Sequence, residues 1–250
     1  MLDKPKIMTV YGTRPEAIKV APVVSALQDD DRFESVVVST GQHREMLEQV
    51  NKRFGIAPDH DMALMKPGQT LNELVARAIQ GLDPIIEEEQ PDVIISQGDT
   101  STAMVAALAG FHKGVKIVHL EAGLRTGNIF SPFPEEANRK IIGQIASLHL
   151  APTNESRENL RRENFRSKDI VVTGNTVIDA LLAASEWEVK FEDPRLEELR
   201  NSDEKLVLVT THRRENLDAM KEIGGAVQDL AKSYPCLLYT SPSPRDGLLS

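Results

Sequence analysis

At 250 residues, the chain is long enough to bury a substantial core without help from disulfides or metals. Its net charge of −9 and aromatic content of 4% argue against nucleic acid and anionic surfaces as partners, which would require basic clusters and, for single strands, stacking rings. The one cysteine, Cys236, excludes an intramolecular disulfide and cannot alone form a cysteine-based zinc site, and the six histidines lack metal-ligand spacing.

The N-terminal stretch MLDKPKIMTVYG carries no long apolar segment or cleavage site, and no run reaches the roughly 18 to 20 apolar residues of a membrane span. A soluble, cytoplasmic protein without membrane contact is therefore expected. Lys6 to Tyr11 reads as a first strand. Gly12-Thr13-Arg14-Pro15-Glu16 then turns into a helix carrying Ile18, Val20, Ala21, Val24 and Leu27. Thr13 and Glu16 have capping-box spacing, and Pro15 suits a first helical turn. Such a junction is expected to present backbone N–H groups and the positive helix end to an anion, with Arg14 and Lys19 adding side-chain charge. The plainer alternative for Arg14 is a surface pair with a neighbouring acid.

Glu34 to Thr40 forms a second predicted strand, left through Gly41-Gln42-His43-Arg44 into a helix ending near Phe54. Met62 to Met65 is expected to be a third strand. Gln69 then precedes Thr70, which would cap a helix through Glu89 whose core face is Leu71, Leu74, Val75, Ala78, Ile79 and Leu82. A strand before Asp99, a helix over Ser101 to His112 and a strand before Glu121 follow, then a helix opened by Glu135-Glu136 and strands at Ser147 to Ala151 and Asp169 to Thr173. This alternation predicts an α/β fold, a parallel sheet with helices on both faces. The first domain is expected to span residues 1–187. Residues 188–235 are expected to hold a charged linker, Phe191 to Ser202, and the start of a second α/β domain, with a strand at Leu206 to Thr211 and a helix from about Asn216 to Lys232. The stretch 236–250, CLLYTSPSPRDGLLS, lacks periodicity and resembles adapter read-through, so it is expected to be a disordered, non-native tail, with the natural protein continuing past Pro235.

Three acidic positions fall just beyond apolar runs: Asp99, Glu121 and Glu135-Glu136. In an open α/β sheet the ligand crevice lies outside the carboxyl ends of the strands, so acids placed there face a bound molecule. Each also has a plainer reading. Asp99 could cap a helix, Glu135 and Glu136 could be first-turn acids, and Glu121 could pair with Arg125. Neither GxGxxG nor GxxxxGK[ST] is present, which disfavours NAD and a Walker phosphate loop. An anion site near Arg14, a basic His212-Arg213-Arg214 element and carboxylates between them suit a nucleotide-sugar.

The segments GTRPEAIK at Gly12, GQHREML at Gly41, GDTST at Gly98, HLEAGLRTG at His119, PEEANR at Pro134, GNTVIDAL at Gly174 and THRREN at Thr211 together resemble the non-hydrolysing UDP-N-acetylglucosamine 2-epimerases. The match runs from Lys6 to about Tyr234 in the family's order. It implies two Rossmann-like domains as in GT-B glycosyltransferases, the second incomplete here because the family's later segments are missing. It also implies interconversion of UDP-N-acetylglucosamine and UDP-N-acetylmannosamine for cell-surface polysaccharide synthesis, with no metal or other cofactor, by a homodimer. The residues make chemical sense of that reaction. A C2 hydrogen on an intact sugar ring is not beside a carbonyl, so anti elimination of UDP to a 2-acetamidoglucal, followed by re-addition, is the available route. By resemblance, Asp99, Glu121, Glu135 and His212 are catalytic, His212 with Arg14 holds the diphosphate, and Lys19 and Arg213 assist in binding substrate. Gln42, His43 and Gln69 resemble contacts to a second, activating UDP-N-acetylglucosamine. The 250-residue chain itself is expected to be inactive. The rival readings are a hydrolysing 2-epimerase, a GT-B glycosyltransferase and a non-catalytic nucleotide-sugar binding module.

Overall fold

The computed structural model describes residues 4–41, 44–66, 68–188, 190–191, 193–201, 206–209, 220–233 and 237–240. The chain divides into two compact units, Met1–Trp187 and Glu188–Ser250.

In the first unit, strands and helices alternate from the start. β1 (Lys6–Tyr11), α1 (Arg14–Gln28), β2 (Glu34–Ser39), α2 (Arg44–Phe54), β3 (His60–Asp61) and α3 (Leu71–Glu89) make one half. The other half contains β4 (Val93–Gln97), α4 (Ser101–His112), β5 (Lys116–Leu120), α5 (Glu135–Ile145), β6 (Leu148–Ala151), α6 (Asn154–Arg162), β7 (Ile170–Val172) and α7 (Thr176–Ser185). The seven strands pair in the order β3-β2-β1-β4-β5-β6-β7, all parallel. The chain winds outward from β1 to β3, crosses to β4 on the other side of β1, and winds outward again. The order therefore reverses between β1 and β4, which makes their carboxyl ends the switch point where such sheets bind ligands.

Alternation along each strand feeds two cores. Met8, Val10, Val36, Val38, Ile94 and Ile117 pack with α3, α4 and Ile142 of α5 on one face. Ile7, Tyr11, Val37, Ile95 and Leu120 pack with Val20 and Val24 of α1 and Leu47 of α2 on the other. Helices thus cover both faces, as two-sided burial of parallel strands requires. Thr13 caps α1 and Thr70 caps α3, each in a complete capping box with Glu16 and Glu73. α4 lies close against the sheet because Gly110 has no side chain: a Cβ there would stand 2.6 Å from Ile94 Cδ1 and 2.8 Å from Ile117 Cδ1.

Three expectations are corrected. The third strand is not Met62–Met65 but the two residues His60–Asp61, paired with Val38 and Ser39; Ala63, at φ 45°, ends the extended run, and Leu64 instead turns into the core. Within the expected linker, Pro194–Arg200 forms a helix, α8, whose cap Asp193 accepts a hydrogen bond from Arg195 N and whose first position is proline. In the second unit, β8 (Leu206–Val209) and α9 (Met220–Ser233) are followed by β9, Leu237–Thr240, inside the stretch expected to be disordered. β9 runs parallel to β8, and its Leu-Leu-Tyr-Thr composition favours a strand.

Candidate active site

The turn after β1 was expected to offer free N–H groups to an anion. Glu16 has already taken that place. Its Oε2 accepts from Gly12 N at 3.0 Å and Thr13 N at 2.7 Å, and its Oε1 accepts from the Thr100 hydroxyl at 2.5 Å. The carboxyl is buried, which pushes its pKa up against the hydrogen bonds that pull it down. Glu16 therefore ties the β1 exit to the β4 exit and takes up the N–H groups of Gly12 and Thr13. Arg14 is exposed and makes no ion pair or hydrogen bond with any described residue. Gly12 is required by close approach, since a Cβ would lie 2.2 Å from Thr40 Oγ1 and 2.8 Å from Thr102 Oγ1.

At the β5 exit, Glu121 has φ 65°, a left-handed conformation that costs a side-chain-bearing residue roughly 1–2 kcal/mol. Strand alternation would send its side chain to the face shared by Ile117 and His119. Its carboxylate instead meets Lys19 of α1 and Gln97, on the other face. Lys19 Nζ donates to Oε2 at 2.6 Å and Oε1 at 2.8 Å, Gln97 Nε2 to Oε2 at 2.8 Å, and Asn175 Nδ2 to Oε1 at 3.3 Å. The strained backbone thus aims the acid across the switch point. Gly98, at φ 75°, is the spacer beside it: a Cβ there would be 3.6 Å from Glu121 Oε2.

Asp99 faces α5 instead. Arg139 Nη2 donates to its Oδ2 at 2.5 Å and Arg139 Nη1 to Glu136 Oε2 at 3.0 Å, so one guanidinium bridges two acids. Burial opposes the charge on Arg139, but Asp99 and Glu136 outweigh it and hold the guanidinium above its ordinary value. Glu136 is fully buried and also accepts from Gly127 N at 3.3 Å. Asn138 Nδ2 donates to Asp99 O at 2.8 Å. Glu135, at the start of α5, has a buried Oε2 with no hydrogen-bond partner among the described residues.

Of the plainer readings, Glu135 and Glu136 do stand in the first turn of α5, but the other two are not what the geometry shows. Thr100, not Asp99, caps α4, and Arg125 pairs with Glu163 at 2.8 Å rather than with Glu121. Gln69 lies before α3, held by Arg77 Nη1 at 2.8 Å and touching Met65 Sδ at 3.0 Å. Gln42, His43, His212 and Arg213 lie outside the described residues. Sequence reasoning did not single out Gln97, Asn175, Glu16 or Arg139 as site residues. Asn175 sits at a strand exit and Arg139 lies one turn beyond Glu135, so both carried a signal. Among the described residues, no group of three or more His, Cys, Asp or Glu side chains is placed to hold a metal ion.

The family model described as UDP-N-acetylglucosamine 2-epimerase matches residues 25–248. A UDP-N-acetylglucosamine 2-epimerase of Yersinia pestis is 48% identical over 236 residues, which make up 92% of this chain and 63% of that protein. The crystal structure of UDP-GlcNAc 2-epimerase from Neisseria meningitidis bound to UDP-GlcNAc aligns with TM-score 0.82 and 41% identity, covering 98% of this chain and 70% of that one. A putative UDP-N-acetylglucosamine 2-epimerase from Listeria monocytogenes aligns with TM-score 0.88 and 43% identity, covering 99% and 65%. The chain thus spans less than two thirds of the length of the Yersinia pestis relative. A family match over most of its residues, on a parallel sheet with acids gathered at the strand exits, places the chain in the UDP-N-acetylglucosamine 2-epimerase family.

Proposed function

We propose that the protein interconverts UDP-N-acetylglucosamine and UDP-N-acetylmannosamine by the non-hydrolysing route. UDP leaves C1 with the bonding electron pair while a carboxylate takes the C2 proton, giving a 2-acetamidoglucal and UDP. Delivery of a proton to the opposite face of C2 and re-addition of UDP at C1 complete the inversion. Asp99, Glu121 and Glu135 are the acid/base set. Arg14, His212 and Arg213 hold the diphosphate, and Lys19 places positive charge beside Glu121, where it also counters charge developing on the leaving group.

The observation that carries this reading is the pair of acids at adjacent strand exits, each aimed by a different cation: Glu121 by Lys19 from α1, and Asp99 by Arg139 from α5. Glu135 adds a carboxylate with an unused buried acceptor. UDP-GlcNAc bound in the Neisseria meningitidis relative supports the substrate. A cavity of about 390 Å³ lined by Ser39, Gly41, Asn51, Lys52 and Asp61 supports a second, activating nucleotide-sugar, for which Gln42 and His43 follow Gly41 in the sequence. The working form is a cytoplasmic homodimer that supplies cell-surface polysaccharide synthesis.

The test is proton NMR of UDP-N-acetylglucosamine in deuterium oxide, with the chain and with the chain extended by the remaining segment of its Yersinia pestis relative. Deuterium at C2 together with the manno epimer is the expected result in the extended protein, and far less of either with residues 1–250 alone. Release of free sugar, or no exchange in either sample, would overturn the proposal.

A further inference from the structure

We infer that His119 is a positioning residue that sets Asp99 through the Gly98 carbonyl. The inference rests on the reading of Asp99 as an acid/base group. His119 is 1% exposed on β5, and strand alternation turns it to the face shared by Ile117 and α5. Its Nε2 lies 2.7 Å from Gly98 O. A carbonyl oxygen only accepts, so Nε2 carries the hydrogen. Burial pushes the ring down to about 4, so it is neutral and Nδ1 bears a lone pair, which is buried without a partner among the described residues. A phenylalanine or leucine would fill this space without stranding a polar atom. What histidine adds is one donor, delivered to one carbonyl.

That carbonyl occupies a decisive place. Gly98 is left-handed, its N–H donates to Leu120 O at 2.9 Å, and the next residue is Asp99. Asn138 Nδ2 terminates the Asp99 carbonyl and Arg139 terminates its carboxylate, both from α5. With His119 in place, the carbonyls of Gly98 and Asp99 are both fixed by side chains. Without its donor, the Gly98 carbonyl is a buried acceptor with nothing to bond, and the peptide plane that carries Asp99 can rotate to find one. The carboxylate then leaves the direction in which Arg139 holds it, and a displacement of this size at a reacting group costs rate rather than affinity.

The experiment compares His119→Gln, whose amide nitrogen reaches as far as Nε2, with His119→Phe, which keeps the bulk and loses the donor. Two readouts are taken. In residues 1–250, nitrogen-15 histidine spectra should place the proton on Nε2, and H119F should shift the amide resonances of Gly98, Asp99 and Thr100 far more than H119Q does. In the extended protein, H119F should lower kcat by about 30- to 100-fold with KM changed less than about twofold, while H119Q stays within about threefold of the parent. A proton on Nδ1, equal amide shifts in the two variants, or equal rates would overturn the inference. If the parent itself shows no turnover, the functional reading fails and the amide shifts alone decide the role of His119.

Discussion

Lys19 and Glu121 are 102 positions apart in the chain, yet Nζ of one lies 2.6 Å from Oε2 of the other. The contact joins α1 to the exit of β5 across β1 and β4, spanning the reversal in strand order. Glu121 does not reach it by ordinary geometry, because it must adopt φ 65° to cross the sheet. Strain of this kind at a strand exit points to a selected arrangement.

Lys19→Met should therefore act on both rate and stability. The two side chains are 25% and 10% exposed, so the pair is partly desolvated, and its loss should cost about 1–3 kcal/mol. Turnover by the extended protein should fall by at least about 100-fold, since Gln97 and Asn175 remain but carry no charge. Urea unfolding and a coupled epimerase assay check the two halves separately. Unchanged turnover would remove Lys19 from the site.

Stability should fall as acid is added, and His119 should account for part of the fall. Its ring titrates near 6.5 when unfolded and near 4 when folded, because burial disfavours the charged form. Between these values the unfolded chain binds the extra proton, so stability is complete above pH 6.5 and declines towards pH 4. The full shift corresponds to about 3 kcal/mol. His149 is lowered by burial in the same sense and adds to the slope. Urea midpoints measured from pH 7.5 to 4 should show a shallower decline in H119Q than in the parent. Parallel curves would show that the ring is not buried as described.

Gly123, in the HLEAGLR segment, is at φ 90°, and a Cβ there would stand 2.2 Å from Ser156 O. Both the conformation and the space require glycine, because the obstacle is backbone rather than a flexible side-chain end. Gly123→Ala should destabilise the first unit by about 2–4 kcal/mol. Thermal or urea unfolding that matches the parent would contradict the packing of this turn against α6.

Much of this fold was legible because β1, β2, β4 and β7 are largely apolar runs with a glycine one or two residues beyond their ends. The helix expected over Ser101–His112 has those bounds, though Thr100 caps it, and Thr13 with Glu16 announced α1. The same Glu16 marks where sequence reasoning stopped. Capping-box spacing revealed a helix start, but not that this carboxylate would occupy the anion position expected to be empty. Glu121 shows a second limit. Only glycine, and sometimes asparagine or aspartate, gives warning of a left-handed residue, so nothing in the one-dimensional pattern set its direction. Partners such as Lys19 and Arg139 depend on which helix lies over which strand. Asp193-Pro194 did carry a helix-start signal, which the charged composition around it obscured.

Arg139 offers the sharpest check on the described site, because it serves two acids in different environments. Asp99 has a side chain 26% exposed and can fall back on water, whereas Glu136 is fully buried. Removing the guanidinium leaves Glu136 with one long backbone donor, Gly127 N at 3.3 Å, for a charge that burial makes costly. Arg139→Met should therefore destabilise the protein by about 3–5 kcal/mol. If the cost comes from the stranded charge, neutralising it should relieve it. The double variant R139M/E136Q should then be more stable than the sum of the single changes predicts, by a coupling of about 1–3 kcal/mol. E136Q alone should cost less than R139M, because Arg139 keeps Asp99. Strict additivity in urea unfolding would mean that Arg139 and Glu136 do not share the buried pair described here.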